Sequence, residues 1–326
     1  MLVINENELR TLVDLESAIE SQRDAYVSAS RGQMVAEGVL TAFNAENDAL
    51  IFAVTGAIAG RTGVAFKIGC ESPSNSTRGL STLQSMVVLT DAVTSEVLAC
   101  LNGAAVTALR TSAGVAAAVD ALARREATSL GVFGSGVQAR DVTRMISTVR
   151  PLVDVRIWSP TAAHRSALVA ELSADPVISA VVTAAERPRL AADCDIVVTC
   201  TTSRDPVVEG DWLVPGATVL TIGSYAPDRR EIDLRTSERA ARIFVDDVGK
   251  ALDWSGPLRE AINHQVVDHD EVHPVGAVIS GDEAGRERED DILIFHSLGL
   301  AIQDAALGCL ILDRAKREGM GTAVEL

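Results

Sequence analysis

One turn constrains this chain more than any other stretch of it: Gly134-Ser135-Gly136-Val137-Gln138-Ala139. It directly follows an apolar run, residues 129–133, short enough to be a strand buried on both faces. It directly precedes a pattern in which Val142, Met145, Ile146 and Val149 fall on one helical face. Each position then has a physical task. Gly134 can take the tight turn, Gly136 lets the backbone approach a pyrophosphate, and Ala139 is small where helix meets strand. The helix's amino end, with Ser135, Val137 and Gln138, presents free N–H groups to an anion. An isolated turn of this kind is only a strand-to-helix connection. Here further apolar runs at residues 153–158, 196–200, 217–222 and 242–245 alternate with helical stretches such as 162–172. That alternation predicts an α/β fold with a doubly wound parallel sheet holding a dinucleotide.

The remainder has a different rhythm. With 326 residues there is room for two domains at ~150 residues each. Asp14 stands ready to cap a helix with Leu15, Ala18, Ile19, Gln22 and Tyr26 on one face. Runs at 39–43, 50–55, 63–68 and 85–90, parted by Gly, Asn, Asp and Ser, predict a sheet of short strands. An alanine-rich helix over 107–124 follows them. A final helix over 297–318 carries Leu298, Ile302, Ala305 and Cys309 as a stripe and stops at Gly319. Two domains are expected, the sheet of short strands first and the dinucleotide-binding sheet after it.

A formal charge of −16 makes phosphate backbones and anionic lipid poor partners. No apolar run approaches the ~18 residues of a membrane span and the first residues lack a secretory pattern, so a cytoplasmic location is expected. The five cysteines, Cys70, Cys100, Cys194, Cys200 and Cys309, form no C-x-x-C pair and read as reduced core residues. His264, His269 and His273 lie close together among acids, but their spacing matches no zinc pattern, so no metal is expected. No G-x-S-x-G elbow, Walker loop or Cys-His pattern supports hydrolysis or phosphoryl transfer.

Where an NAD site would place a carboxylate ~20 residues after the glycines to hold the ribose 2′-hydroxyl, the chain reads Arg156-Ile157-Trp158-Ser159-Pro160-Thr161. Ser159, Thr161, His164 and Arg165 could instead surround a 2′-phosphate, which favours NADP over NAD. Only three lysines occur among 29 basic residues. One of them, Lys67, sits inside an apolar run, where an ammonium could pair a carboxylate or exchange a proton. Arg110, near the start of an apolar helix, suits a carboxylate or a phosphate. Their bland alternatives are a strand-end lysine reaching solvent along its stem and an ordinary surface arginine.

Ordered landmarks run along nearly the whole chain: Phe66-Lys67, Pro73 and Asn75 before Gly79-Leu80, Leu89-x-Asp91, Thr107-Ala108-Leu109-Arg110-Thr111, the glycine turn, Thr199-Cys200-Thr201-Thr202, Gly223-Ser224-Tyr225-x-Pro227 with Arg230-Glu231, and Ser297-Leu298-Gly299 with Gln303-Asp304. In these the chain resembles the ornithine cyclodeaminase and mu-crystallin family, which includes ketimine reductases, alanine dehydrogenases and imino acid reductases. The resemblance implies a homodimer with an α+β substrate and dimerisation domain, residues 1–112 plus 295–326, and a Rossmann-like dinucleotide domain, residues 113–294. It implies that Lys67 holds or protonates substrate and that Thr82 and Arg110 sit between substrate and nicotinamide. By the same token Gly134, Ser135, Gly136, Val137 and Gln138 hold pyrophosphate, Ser159 and Thr161 the ribose, and Thr201, Ile222, Arg229 and Ser297 the rest of the cofactor.

Two departures stand out. Leu40 falls where the family's carboxylate-binding arginine is expected, and Tyr225 where the cyclodeaminase carries an aspartate. A phenol, which ordinarily titrates near ~10, is a poor base at neutral pH. The expected activity is therefore NAD(P)H-dependent reduction of a C=N bond beside a carboxylate, or its reversal, with Lys67, Arg110 and Tyr225 as catalytic candidates. The alternatives are an amino acid cyclodeaminase and a binding protein that retains NADP but has lost chemistry.

Overall fold

The structure, a computed structural model, describes residues 1–46, 49–60 and 63–325. It divides into two compact units, residues 1–110 with 300–326 and residues 111–299.

The first unit is built on strands β1 (Leu2–Ile4), β2 (Met34–Asn44), β3 (Ala49–Ile58), β4 (Gly63–Glu71), β5 (Leu83–Asp91) and β6 (Val97–Asn102). Among the described residues its sheet runs Thr322–Ala323, β1, β6, β5, β4, β3, β2. Only β1 and β6 pair in parallel. Asp14 caps the helix Leu15–Ser30 through the Ser17 N–H, as the sequence predicts. The strands are nine to eleven residues long from β2 to β5, not short. Glycines that look like breaks in the sequence are instead sites of close approach. A methyl on Gly56 would stand 2.5 Å from the Cβ of Ala301, and one on Gly63 2.1 Å from Cys309 Sγ. Both contacts belong to the final helix, which lies against this sheet. That helix spans Ala301–Glu318 and does not begin at 297, so Leu298 is not on its stripe. Strands β1 and β6 and the helix Glu6–Leu12 are too short and weakly periodic to have been expected.

The helix Gly103–Leu122 carries the chain into the second unit. Contrary to the sequence expectation, it is long and apolar enough to match a membrane span. Ala105, Val106, Leu109, Ala113, Val115, Val119 and Leu122 are nevertheless buried in protein. Its carboxyl end is closed by Arg150, whose guanidinium donates to the carbonyls of Val119, Asp120 and Ala123 at 2.9–3.1 Å and to Asp120 Oδ1 at 2.6 Å. These are the acceptors that a helix end leaves unsatisfied.

The second unit contains β7 (Ser129–Phe133), β8 (Asp154–Trp158), β9 (Val181–Ala184), β10 (Ile196–Thr199), β11 (Thr218–Thr221), β12 (Ala240–Val245), β13 (Val272–Pro274) and β14 (Ile292–His296). All neighbours pair in parallel, in the order β13, β12, β14, β11, β10, β7, β8, β9. The chain runs from β7 outward through β8 to β9, then returns past β7 to β10, so the winding reverses between β7 and β10. Ligands of open parallel sheets bind beyond the carboxyl ends of strands at such a reversal. Residues on one face, among them Phe133, Val197, Val219, Ile243 and Ile294, form the core with Ala191, Ala251 and Leu258 from the helices. The cysteines form no disulfide among the described residues, but not all are core residues: Cys194 is buried and Cys70 is exposed.

Candidate functional site

The cofactor candidates of the second unit lie at the carboxyl ends of neighbouring strands. Gly134 follows β7, Ser159 follows β8, Ile222 follows β11 and Ser297 follows β14, each immediately, and Thr201 lies just past β10. The backbone ladder continues into these positions: Cys200 N donates to Phe133 O at 2.8 Å, Ile222 N to Thr199 O at 2.8 Å and Ser297 N to Thr221 O at 2.9 Å. Tight pairing to the last residue gives this edge a fixed shape.

At the glycine turn the two glycines do different things. Gly134 has φ +129°, and a Cβ there would stand 2.7 Å from Cys200 O and 2.9 Å from its Sγ, so only glycine fits. Gly136 has ordinary extended backbone (φ −94°, ψ −167°) at the N-cap of the helix Val137–Val149, and a Cβ there would meet nothing within 4 Å. Nothing in the fold demands glycine at 136. A bare backbone facing open space, with no side chain capping the first N–H groups, is what an anion at a helix terminus needs. Val137 is exposed and Ser135 half-buried, while Gln138 Oε1 accepts from Ser112 Oγ at 3.2 Å. The residues present therefore fit a dinucleotide's pyrophosphate.

At the end of β8, Ser159 is buried, Thr161 is exposed at the N-cap of the helix Ala162–Ser173, and Arg165 donates to Ser159 O. The Arg165 Nε is buried without a hydrogen-bond partner among the described residues. The carboxylate nearest in sequence, Asp154, lies at the other end of β8 and pairs with Arg156 at 2.7 Å. Arg229 and Tyr225 meet each other: the guanidinium lies 4.7 Å from the centre of the phenol ring.

Sequence reasoning passed over two buried carboxylates of this edge. Glu231 accepts from the N–H groups of Thr201 and Gly223, both at 2.6 Å, and so ties the loops after β10 and β11 together. Burial raises its pKa despite these donors. Asp246, directly after β12, accepts from Leu298 N and Gly299 N. The signal for Glu231 was its place in the Arg230-Glu231 landmark. Asp246 had none.

In the first unit, Lys67 and Arg110 come together around a residue that the sequence marked only as part of a landmark. Lys67 Nζ lies 3.4 Å from Asp304 Oδ1, and Arg110 Nε 3.7 Å from the same oxygen. Lys67 is 7% exposed and Asp304 4%. Arg110 Nη1 also donates to Gln303 Oε1 at 3.3 Å. The Gln303 amide is itself fixed by Tyr26 Oη at 3.2 Å and by Leu300 N at 2.8 Å. Arg110 Nε, buried, has no hydrogen-bond partner among the described residues. Two cations thus converge on one carboxylate, with donor capacity on the guanidinium to spare. Thr82 is exposed in the turn before β5, where its carbonyl accepts from Ser72 N; its hydroxyl is not part of this cluster.

The register corrects the expectation for Leu40. Lys67 pairs across the sheet with Val54 and Val87, and Val54 with Val39, whereas Leu40 pairs with Ala53, Ala53 with Ile68 and Ile68 with Met86. Successive residues of a strand point to opposite faces, so Leu40 lies on the face away from Lys67. An arginine at 40 would lie on the face opposite Lys67. On Lys67's side β2 presents Val39 and Thr41, neither of them cationic. Of the clustered histidines, His273 Nδ1 is engaged by Glu283 at 2.6 Å, and His269 belongs to a short turn capped by Asp268 and Glu271.

The model of the ornithine cyclodeaminase/mu-crystallin family matches residues 1–319. A Δ1-pyrroline-2-carboxylate reductase of Bacillus cereus is 31% identical over 328 residues, covering 100% of both chains. The solved structure of Thermococcus litoralis Δ1-pyrroline-2-carboxylate reductase in complex with NADH and L-proline is similar with a TM-score of 0.95 at 27% identity, over 99% of this chain and 100% of that one. An archaeal alanine dehydrogenase dimer with bound NAD gives a TM-score of 0.92 at 25% identity, over 100% and 99% of the two chains.

Proposed function

The chain belongs to the ornithine cyclodeaminase/mu-crystallin family, and from that premise we propose that it is a nicotinamide-dinucleotide-dependent oxidoreductase. It reduces a C=N bond next to a carboxylate to give an amino or cyclic imino acid, or runs the reverse reaction. The observation that carries this reading is the convergence of Lys67 and Arg110 on Asp304 in a nearly buried setting.

A bound nicotinamide dinucleotide supplies the hydride. The N–H groups at Gly136, Val137 and Gln138 hold its pyrophosphate, with Gly134 and Ser135 shaping the turn, and Thr201, Ile222, Arg229 and Ser297 line the rest of the carboxyl edge. At the ribose, Ser159, Thr161 and the Arg165 guanidinium, with no carboxylate beside them, favour NADPH over NADH.

The substrate carboxylate needs a cation that is oriented and still has donors free. Arg110 meets that need, because Gln303 fixes one edge of its guanidinium while Nε has no hydrogen-bond partner among the described residues. Lys67 holds the proton that the substrate nitrogen must receive or release as its carbon gains or loses hydride. Asp304 keeps both cations at one point and offsets the cost of burying them. Tyr225, packed under Arg229, brings no carboxylate to manage the water and amine protons of ammonia loss, which favours reduction over cyclodeamination.

The outer face of the first sheet exposes Leu40, Ile51, Phe66, Ile68 and Met86. An apolar surface of this size is suited to a second copy of the chain, and the functional form is a homodimer.

The test is a cofactor-oxidation assay over small imino acids, and keto acids with ammonia, run with NADPH and with NADH. Turnover of a C=N substrate, lost in Lys67→Met while cofactor affinity is kept, is the expected result. A wild-type chain that binds either dinucleotide and reduces no imine would overturn the assignment.

A further inference from the structure

The turn that leaves β14 is gripped from two sides. Asp246 Oδ2 accepts from Leu298 N at 2.7 Å and Gly299 N at 2.6 Å, while its Oδ1 accepts from Asp247 N at 3.1 Å. Lys250, in the helix Val248–Trp254, donates its Nζ to the Gly299 carbonyl at 2.7 Å. Its position is set by the helix cap, where Asp247 Oδ1 accepts from Lys250 N at 2.7 Å. With Ser297 N bonded to Thr221 O, three consecutive N–H groups are held. Gly299 completes the turn in the left-handed region at φ +76°, where a side chain would be strained.

This is more restraint than a connection between a strand and a helix requires. A carboxylate that is 1% exposed is a costly anchor, and a neutral amide oxygen could accept from Leu298 N and Gly299 N at less cost. What the charge adds is stiffness: charge-assisted bonds to both the N–H and the carbonyl of Gly299 leave that residue a single position. The residue this arrangement fixes is Ser297.

We propose that Asp246 and Lys250 are positioning residues, which clamp the Leu298–Gly299 turn so that Ser297 is held at the sheet's carboxyl edge where the dinucleotide binds. The inference rests on the cofactor role given to Ser297 above.

Burial pushes Asp246 up to about 6, against the opposing pull of Lys250 and the Gly299, Leu298 and Asp247 N–H groups, which are what it faces. Because its folded pKa is raised, the ionised group lowers stability at neutral pH. The stability it contributes when protonated is fully present at low pH and is lost as pH rises through 6. Acidification from pH 7 to 5 therefore loosens the clamp while making this part of the fold more stable. A structural carboxylate with a lowered pKa would behave in the opposite way.

The test uses the full chain, Asp246→Asn and Lys250→Met. Amide exchange of Leu298 and Gly299 is followed together with dinucleotide affinity by fluorescence from pH 8 to 5 and with thermal stability. In the wild type, affinity is expected to fall by up to about tenfold in all as pH drops through 6. In Asp246→Asn it should be about tenfold weaker at pH 7 and flat with pH, with both amides exchanging faster and Tm unchanged or raised. Wild-type exchange rates in both variants, or an unchanged pH profile in Asp246→Asn, would overturn the proposal. A wild-type chain that takes up neither dinucleotide would remove the role given to Ser297 and with it the proposed purpose of the clamp, whatever the exchange rates.

Discussion

Replacing Gly136 by alanine separates what the glycine turn does for the fold from what it does for the ligand. The added methyl meets no atom within 4 Å, and the backbone at φ −94° suits alanine as well as glycine. The cost to folding is limited to the weaker N-cap preference of alanine, below about 1 kcal/mol, or a Tm shift of roughly 2–4 °C for a unit of this size. The same methyl stands where a pyrophosphate must approach the backbone. A methyl forced into a packed contact costs about 1–3 kcal/mol, which weakens dinucleotide affinity roughly 5- to 150-fold. Gly134→Ala is the contrast. Its Cβ would lie 2.7 Å from Cys200 O, at a φ of +129°. Backbone strain and overpacking together destabilise the fold by about 2–6 kcal/mol. Fluorescence titration of the dinucleotide, beside thermal denaturation, reads both quantities. Unaltered affinity in Gly136→Ala would refute the reasoning.

Other expectations can be checked on the same preparations. Lys67→Met takes one of two cations from buried Asp304 while Arg110 remains at 3.7 Å, so the chain should fold with reduced stability and lose at least ~100-fold in turnover without altering dinucleotide affinity; turnover within a few-fold of wild type would remove Lys67 from proton transfer. Arg150→Leu strips the carbonyls at the end of Gly103–Leu122 of their donor. A loss of about 1–3 kcal/mol, seen in urea unfolding, is expected, and a loss under about 0.5 kcal/mol would contradict the capping role. Ile68→Glu places a charge on the outer sheet face, and light scattering should find monomer in place of dimer; an undisturbed dimer would move the interface elsewhere.

The cofactor unit was legible because its signals are local. Strands such as Ile196–Thr199 and Thr218–Thr221 are buried along their whole length and read as unbroken apolar runs. The glycine turn announces its neighbours within a few residues. The first unit was harder for three physical reasons. Glycines such as Gly56 and Gly69 lie within strands as sites of close approach and do not end them, so the strands read as short. A one-residue slip in register inverts every side chain, and a bulge such as that between Val35 and Gly38 is invisible in the sequence, so the face on which Leu40 lies could not be read from its position. Finally, Asp304, Glu231 and Asp246 look like any of the 45 acidic residues. Their importance arises from partners far along the chain, as with Lys67, 237 residues before Asp304.

The most direct measurement mixes the purified chain with reduced dinucleotide and a panel of cyclic and linear imines that carry a carboxylate beside the C=N bond, following loss of absorbance at the nicotinamide band together with chiral analysis of the product. The account predicts one equivalent of dinucleotide oxidised for each equivalent of amino or cyclic imino acid formed, and loss of both signals in Lys67→Met and Asp304→Leu. Bound dinucleotide that is never oxidised by any member of the panel would contradict it.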